Sequence, residues 1–571
     1  VRNSNQVNLG HNRLSILDLS EASNQPFIHD DLALTYNGEI YNYLELREEL
    51  QSLGHQFKTT GDTEVILASF KAWGLSCVKR FVGMWAFAIW DQQKQTLFCS
   101  RDPFGIKPFY YQIDSGRMYF ASEYKALQRS PLHQSKINER QIARYLQLGW
   151  IAHEDETFFA NMHALPAGHN LVFKDGKLQL ERYHDFPAQT QSGISDEEAI
   201  QGFKDRFLQS LKIHMRSDVE VGGCLSGGLD SSAIASGVGK LYPDVNFKTF
   251  TIYYSGKNEV DERPFARLNH KKYPSLQGFE YEPKDGELED HFDKFLDIQD
   301  VPVAGSSPFS QYFVMKLAAE HGVKVVLDGQ GADEYLAGYM HAFYRAHAGQ
   351  FSRNPFMAMK ELNSHNKLQN YGAREKVKRF LKTVLTATKS EQALYALEFK
   401  NYLPFVLSST ETPFNLNFND GSRLNKFLHH QLYTASLPTL LHYEDRNSMA
   451  FSIESRVPFL DHRLVNYTMS LPDSFKIRDG ISKFILRKGL SDLLPEEITN
   501  RMDKKGFVTP GEVRWLRGPL KHFTNVNFED YSIINSGRVK QVIDQYNQGN
   551  NKAAKLVWRL AVLNRWLKKN V

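Results

Sequence analysis

Residues 224–233 read CLSGGLDSSA, between an apolar run, VEVGG, and a helix-like run, SSAIASGVGKLY. Gly227 and Gly228 allow a tight turn and leave backbone N–H groups uncovered. A helix expected to start near Ser231 would point its positive end into the same space. Ser226, Ser231 and Ser232 add hydroxyl donors, and Asp230 is a hard oxygen ligand suited to Mg²⁺. The chemistry of such a loop is phosphate binding. It is not a G-x-x-x-x-G-K-[ST] loop and carries no lysine for a γ-phosphate. Cleavage that releases pyrophosphate therefore fits better than phosphoryl transfer. An isolated Ser-Gly-Gly would be an ordinary turn, but the whole octet between strand and helix is not.

A second strand-to-loop transition is VVLDGQGADEYLAGY, residues 325–339. Its glycines permit close approach of a ligand, and Asp333 with Asp230 would complete a two-carboxylate magnesium site. In GISKFILRKGL, residues 480–490, Lys483 and Arg487 stand at i,i+4 on an expected helix. Their mutual repulsion would be relieved by an anionic ligand or by water. The block 437–464, LPTLLHYEDRNSMAFSIESRVPFLDHRL, mixes charge with apolar residues. Its charges could be surface residues or structural ion pairs.

These motifs need a scaffold. Residues 1–186 read as β-rich, with hairpins expected over 84–100 and 108–122 and a helix over 42–54. Residues 187–198, PAQTQSGISDEE, read as a linker. From 199 to 571, helical runs alternate with short apolar strands at 219–225, 247–254 and 323–328. That alternation predicts a doubly wound parallel sheet, whose ligands bind beyond the strand C-termini. Past residue 340 the pattern is mostly helical. Near the end, Leu556, Leu560, Leu563 and Leu567 line one face of a helix expected to pack on the core.

The bulk composition excludes several classes. The 571 residues suffice for about two to four domains. With 69 basic and 65 acidic residues, the net charge of +4 gives no basis for nucleic-acid or membrane binding. The three cysteines, Cys77, Cys99 and Cys224, form no metal or disulfide spacing, so a cytosolic setting is expected. No apolar run reaches transmembrane length.

SGGLDSS, the G-x-G-x-D-E loop, RVPFLDHRL and the lysine of SKFILR together resemble the synthetase half of the glutamine-hydrolysing asparagine synthetases, in the PP-loop or adenine nucleotide alpha hydrolase group. LGHNRLSILDLS, YNGEIYN, GDTEVIL and SRDPFGIKPFYY resemble the class II glutaminase half of the same family. The resemblance implies an αββα sandwich glutaminase followed by an ATP pyrophosphatase domain. One site would release ammonia from glutamine. The other would adenylate a carboxylate, L-aspartate first, using ATP and Mg²⁺. Carried over by position, Arg13 in the run Arg13, Leu14, Ser15, Ile16, Leu17 would grip the glutamine carboxylate. Asp62 would hold its ammonium, Asn37 and Gly38 would form the oxyanion hole, and Glu39 would fix the substrate. Leu225, Ile252, Asp328 and Gly329 would contact the nucleotide. Ser226, Gly228, Asp230 and Ser231 would hold pyrophosphate and metal, and Lys483 would neutralise the phosphates. The partners implied are small molecules, and the oligomeric state is open, a homodimer being one option.

Three departures bear on this. Gln330 stands where the asparagine-forming members usually carry Glu, and an amide accepts no proton near neutral pH. Asp328, where many members have Ser, returns a carboxylate two positions earlier. Amidation of another acid, such as a sugar uronate in surface-polysaccharide synthesis, is therefore an alternative acceptor chemistry. An inactive binding homologue is the alternative of another class, opposed by the intact Asp230, Asp333 and Lys483. Finally, the family's nucleophile is an N-terminal Cys, whereas the sequence opens on Val1. The expectation is a missing segment of about 50 residues and, for the chain as it stands, use of free ammonia only.

Overall fold

The computed structural model describes residues 7–131, 136–186, 191–255, 261–351, 354–391, 393–394, 421–502, 509–529, 531 and 533–571, and the backbone of 2–3. The first half is built on strands β1 (Phe27–His29) and β2 (Leu32–Ile40), helices α1 (Tyr43–Ser52) and α2 (Thr63–Trp73), and the hairpin β3 (Gly83–Asp91) to β4 (Thr96–Arg101). A second hairpin follows, β5 (Tyr110–Asp114) to β6 (Arg117–Ala121). Then come α3 (Tyr124–Leu127), α4 (Glu139–Leu148), β7 (His163–Ala164), β8 (His169–Lys174) and β9 (Lys177–Arg182). Both expected hairpins and the expected helix are present.

The strands form a six-stranded antiparallel sheet, β9-β8-β4-β3-β2-β1, and a three-stranded one, β6-β5-β7. Side chains alternate between the faces of a strand, and the two faces of the large sheet differ accordingly. Leu34, Tyr36, Trp85, Phe87 and Ile89 pack with Leu46, Leu50, Val65 and Ile66 of α1 and α2. Ala33, Ala86, Ala88 and Trp90 pack with Phe109 and Tyr111 of the small sheet's segment. Small alanines on that face let the two sheets approach. Beyond the small sheet, Tyr110 shares a core with Tyr124 and Leu127 of α3 and Ile142 and Leu146 of α4. These form the outer helical layer of the αββα arrangement.

The second half begins at α5 (Asp196–His214), capped by a reciprocal Ser195–Glu198 box. The expected linker is thus shorter than 187–198. Its residues 196–198 are the first helical turn, because three acidic side chains follow a serine cap, and 187–190 lie outside the described residues. Next come β10 (Val221–Cys224), α6 (Leu229–Leu241), β11 (Phe247–Ile252), α7 (Arg263–Lys272), β12 (Leu276–Tyr281), α8 (Asp285–Ile298), α9 (Ser307–Glu320), β13 (Val325–Leu327) and α10 (Ala332–Tyr335). Later elements are α11 (Leu437–Met449), β14 (Glu454–Arg456), α12 (Phe484–Gly489) and α13 (Ala554–Asn570).

The five strands are all parallel, in the order β12-β11-β10-β13-β14. The chain winds outward from β10 to one edge, returns, and winds to the other. The crevice between the ends of β10 and β13 is therefore the topological switch point, where such sheets bind ligands. Both phosphate-type motifs open there. Val326 faces one core and Val325 and Leu327 the other, so helices cover both faces. Two strands, β12 and β14, lie outside the three strands expected from the sequence. The second is charged yet fully buried, because Arg456 pairs with Glu454 at 2.7 Å. The α13 leucines are buried as expected, as are Val557, Trp558, Ala561 and Val562 around the helix. Among the described residues no helix is long and apolar enough to cross a membrane.

Candidate active sites

The loop after β10 is held before any ligand arrives. Leu225 continues the strand, its N–H donating to Phe250 O at 3.0 Å. Gly227 turns at φ +76°, and a side chain there would meet Glu262 O at 2.7 Å. Glu262 is itself clamped by Arg501 at 2.5 and 2.7 Å. Gly228 caps α6, which starts at Leu229, two residues earlier than expected. Ser226 Oγ and Ser231 Oγ lie 3.0 Å apart, and Gly228 N–H donates to Ser226 Oγ at 3.3 Å. Hydroxyls and helix N–H groups thus share one small space.

Ser232 is a correction. Once α6 starts at Leu229, Ser232 falls on its inner face. It is fully buried, and its Oγ accepts from Asn269 Nδ2 of α7 at 3.0 Å. It packs helix on helix and faces no phosphate. Ile252 closes the end of β11 and is buried.

Across the crevice, Gly329 lies against the loop: a Cβ there would sit 3.1 Å from Asp230 Cβ and 3.2 Å from Ser231 N. Asp333 is in the single turn of α10. Lys483 joins the two motifs. Its Nζ lies 2.6 Å from both carboxylate oxygens of Asp230 and 2.5 Å from Asp333 Oδ1. Burial disfavours the ammonium, but the two carboxylates prevail and raise its pKa. Lys483 caps α12 in the left-handed region, φ 53° and ψ 36°. Such a conformation is uncommon for a residue with a side chain and is kept here by the surroundings. Arg487 lies within reach of the Asp230 charge, but its guanidinium donates to Ser482 O at 3.1 Å and Thr499 O at 2.5 Å, whereas Lys483 makes the ion pairs.

Gly338 escaped the sequence reading. A Cβ there would lie 1.7 Å from Asp333 Oδ1 and 2.6 Å from Lys483 Cε. Only the absent side chain gives the ion pair room, and nothing in LAGY announces that. Glu444 also escaped. It is buried on α11 beside Asp328, and Gln311 Nε2 donates to both, to Asp328 Oδ2 at 3.5 Å. Gln330 is half-buried between Gly329 and Gly331.

The first half arranges its candidates differently. Arg13, in a loop without regular structure, donates to the carbonyls of Ser20 and Leu17 at 2.9 Å each and to that of Asp18. Leu14 and Ser15 are half-buried, while Ile16 and Leu17 are core residues. Asn37 and Gly38 are half-buried on β2. Gly38, at φ +147°, is pressed so closely on β3 that a Cβ would lie 2.1 Å from Met84 O. Asp62 is buried and accepts from Tyr36 OH at 2.8 Å and Ile40 N at 2.9 Å. Burial pushes its carboxyl up to about 6. Burial also raises Glu39, with Asp62 and Glu454 adding to the effect. Asp18, not singled out in the sequence, ties the Arg13 loop to the Asp62 loop by accepting from Thr60 N at 2.8 Å. Thus Asp62 and Glu39 come together under β2, while Arg13 is turned onto its own loop.

A cavity of about 240 Å³ lies between the halves, lined by Arg101, Tyr110, His442 and Arg446 among others. None of the loop residues described above lines it, so it is not the nucleotide crevice.

The asparagine synthase family model matches residues 202–568, and the glutamine amidotransferase domain model matches residues 1–184. Asparagine synthetase [glutamine-hydrolyzing] 1 of Bacillus subtilis is 30% identical over 99% of this chain and 90% of its own. A putative asparagine synthetase [glutamine-hydrolyzing] 2 of Methanocaldococcus jannaschii is 38% identical over 58% of this chain and 67% of its own. Amidase chyE of Penicillium rubens is 28% identical over 94% of this chain and 87% of its own.

Proposed function

Because this chain belongs to the asparagine synthase family, its ligase half following a glutamine amidotransferase half, we propose that it adenylates L-aspartate and transfers glutamine-derived nitrogen to give L-asparagine. It is a glutamine-dependent carbon–nitrogen ligase that uses ATP. The observation that carries the reading is the meeting of Asp230, Asp333 and Lys483 at the switch point, beside an open helix N-terminus.

In this reading Leu225, Ile252, Asp328 and Gly329 seat the nucleotide. Ser226, Ser231 and the N–H groups of Gly227 and Gly228 receive the phosphates. A carboxylate oxygen of aspartate attacks the α-phosphorus, and pyrophosphate leaves with the bonding electrons. Lys483 sits where that charge develops and stabilises it electrostatically. Asp230 and Asp333, hard oxygen ligands at the same crevice, are the residues that would hold Mg²⁺. When bound it would neutralise the leaving pyrophosphate. Ammonia then attacks the acyl carbonyl, a C–N bond forms, the bond to AMP breaks, and a proton is lost from nitrogen.

For the first site, Arg13 with the residues through Leu17, together with Asp62 and Glu39, hold glutamine. Asn37 and the Gly38 N–H stabilise its tetrahedral intermediate. The three thiols are free and buried, which suits the cytosolic setting included in this proposal.

A second reading, amidation of another carboxylic acid, is favoured by Gln330, which lacks the proton-accepting capacity of Glu. A relative named as an amidase is compatible with varied acceptors on this scaffold. Acid-dependent exchange of pyrophosphate into ATP, run over a panel of amino acids and uronic acids, decides. Exchange with L-aspartate is expected. Exchange with a uronate alone selects the second reading, and exchange with no acid defeats both.

A further inference from the structure

The crevice holds a carboxylate pair that none of the roles above uses as a pair. Asp328 follows β13 directly, its N–H donating to Arg456 O at 2.8 Å. Its side chain turns toward Glu444 of α11. Donors from three other elements fix the two acids. Ser455 of β14 donates to Glu444 Oε1 at 2.5 Å, and Gln311 of α9 donates to the other oxygen of Glu444 and toward Asp328. Gln311 has no freedom to turn its amide over. Its Oε1 accepts from Asn447 Nδ2 at 3.0 Å, and the Asn447 Oδ1 accepts from Gln299 Nε2 at 2.7 Å. The Cys224 thiol at the end of β10 also donates to Asp328. With the Gly329 N–H, four donors are thus aimed at the two acids, and none of the four is a cation.

Two carboxylates in one buried site do not both ionise readily. Burial raises both, and it raises Glu444 well above the ordinary value, with the charge of Asp328 adding to the effect. Glu444, 3% exposed, is raised the further of the two, and its hydrogen bond to Asp328 raises Glu444 and lowers Asp328, which favours the carboxylate at Asp328. The groups facing the two acids are Cys224 from β10, Gln311 from α9, Ser455 from β14 and, beyond Gly329, the Asp230–Lys483 pair. Asp328 is one residue from Gly329, where a Cβ would lie 3.1 Å from Asp230 Cβ and 3.2 Å from Ser231 N. Consecutive Cα atoms are about 3.8 Å apart, so the pair borders the phosphate loop.

We propose that Asp328 is the base of the aminolysis step, with Glu444 as its positioning residue, in the role that Gln330 cannot fill. This rests on the reading that the crevice forms an acyl-adenylate. Ammonia adds to the acyl carbonyl, forming the C–N bond. Asp328 takes a proton from the nitrogen, and AMP leaves with the electron pair of the broken C–O bond. Adenylation needs no base, since the attacking carboxylate is already ionised, so the two half-reactions should separate.

The test uses the whole chain with ammonium chloride as nitrogen donor. For Asp328→Asn, amide formation should fall roughly 10²- to 10⁴-fold, well beyond the fall in acid-dependent pyrophosphate exchange, which carries only the loss of a nucleotide contact. Asp328→Ser, smaller and still polar, should show the same split, and circular dichroism melts confirm that both variants fold. Glu444→Gln keeps a neutral donor beside Asp328 but removes the paired acid. It should retain amide formation within about tenfold and, because an amide stabilises the Asp328 carboxylate less than a carboxylic acid does, move the acid limb of the kcat–pH profile to higher pH. Parallel loss of exchange and amide formation in both Asp328 variants would overturn the proposal and leave Asp328 a nucleotide contact. Unchanged amide formation would overturn it as well. Absence of exchange in the wild-type chain defeats the adenylation reading itself, and this inference with it.

Discussion

The two candidate sites balance their charges in opposite ways. In the second half, Asp230, Asp333 and Lys483 come from three segments, and the lysine bridges 253 residues to reach Asp230. Each of the three depends on the others. In the first half, Arg13 is satisfied by carbonyls four to seven residues away, and Asp62 by Tyr36 and the Ile40 N–H. A ligand entering the second site meets charges already concentrated by one another. A glutamine carboxylate entering the first must draw Arg13 off its own loop. The second site is preorganised electrostatically, whereas the first exchanges local bonds for substrate bonds, so single substitutions should propagate differently in the two.

The largest effect should follow from Lys483→Ala. It leaves two carboxylates, each about one-fifth exposed, on either side of the space that the 5% exposed Lys483 side chain fills. Removing one partner of a buried ion pair costs on the order of 3 kcal/mol, and loss of a charge-stabilising donor costs roughly 10²- to 10³-fold in rate. Both thermal stability and pyrophosphate exchange should fall, and Asp230→Ala or Asp333→Ala should abolish exchange while the fold persists. Near-normal exchange in any of the three would remove that residue from the mechanism. Arg at 483 should not rescue, because Gly338 leaves room for a slender ammonium stem and not for a planar fork.

Next in size is a contrast inside the loop. Gly227→Ala combines a left-handed φ with an overlap on Glu262 O and should destabilise by roughly 2–3 kcal/mol. Gly228→Ala has φ −73° and nothing closer than Ser226 Oγ at 3.3 Å, so its cost should stay within about 1 kcal/mol. Denaturant melts of the two variants check this. Equal losses would mean that the turn is not held as described.

How much of this could be read from the sequence follows from locality. The phosphate loop was legible because its glycines, hydroxyls and acid are contiguous and lie between a strand and a helix. Asp333 and Lys483 were legible as motif members, but their convergence was not, since it depends on strand order. Ser232 was misassigned because a two-residue shift in the start of α6 turns it toward Asn269. Glu444 and Arg456 were hidden in a block of mixed charge, where buried pairing and surface exposure leave the same composition. Gly338 carries only a space requirement, visible once Asp333 and Lys483 are placed. Arg13 and Asp62 were assigned by resemblance, and the hydrogen bonds that hold them locally are a property of the fold.

A smaller effect sharpens the acceptor question. If aspartate is the acceptor and Asp328 its base, Gln330→Glu should preserve or raise aspartate-dependent turnover, by no more than about tenfold. It should also restore part of the activity lost in Asp328→Asn. A fall with aspartate in the single variant would point to a pocket built for another acid. No change in either background would place residue 330 outside the reacting centre.

The smallest expected effect tests the local balance of the first site. Asp62 titrates near 6 in the folded chain, raised by burial from an ordinary value of 3.8. Between those values the folded state binds more protons than the unfolded state. Its contribution to stability is therefore largest at low pH, declines as pH rises from about 4 to 6, and is flat above. Asp62→Asn retains a carbonyl oxygen for the Tyr36 hydroxyl and the Ile40 N–H but does not titrate. Denaturation curves at pH 4 and pH 7 should show that the variant loses less stability across the interval than wild type does, by on the order of 1–2 kcal/mol. The second site behaves oppositely, since replacing any of its three charges strands the others. If Asp62→Asn instead steepens the decline, the carboxylate is stabilised in the folded chain by a charge partner. The first site would then be preorganised in the same way as the second.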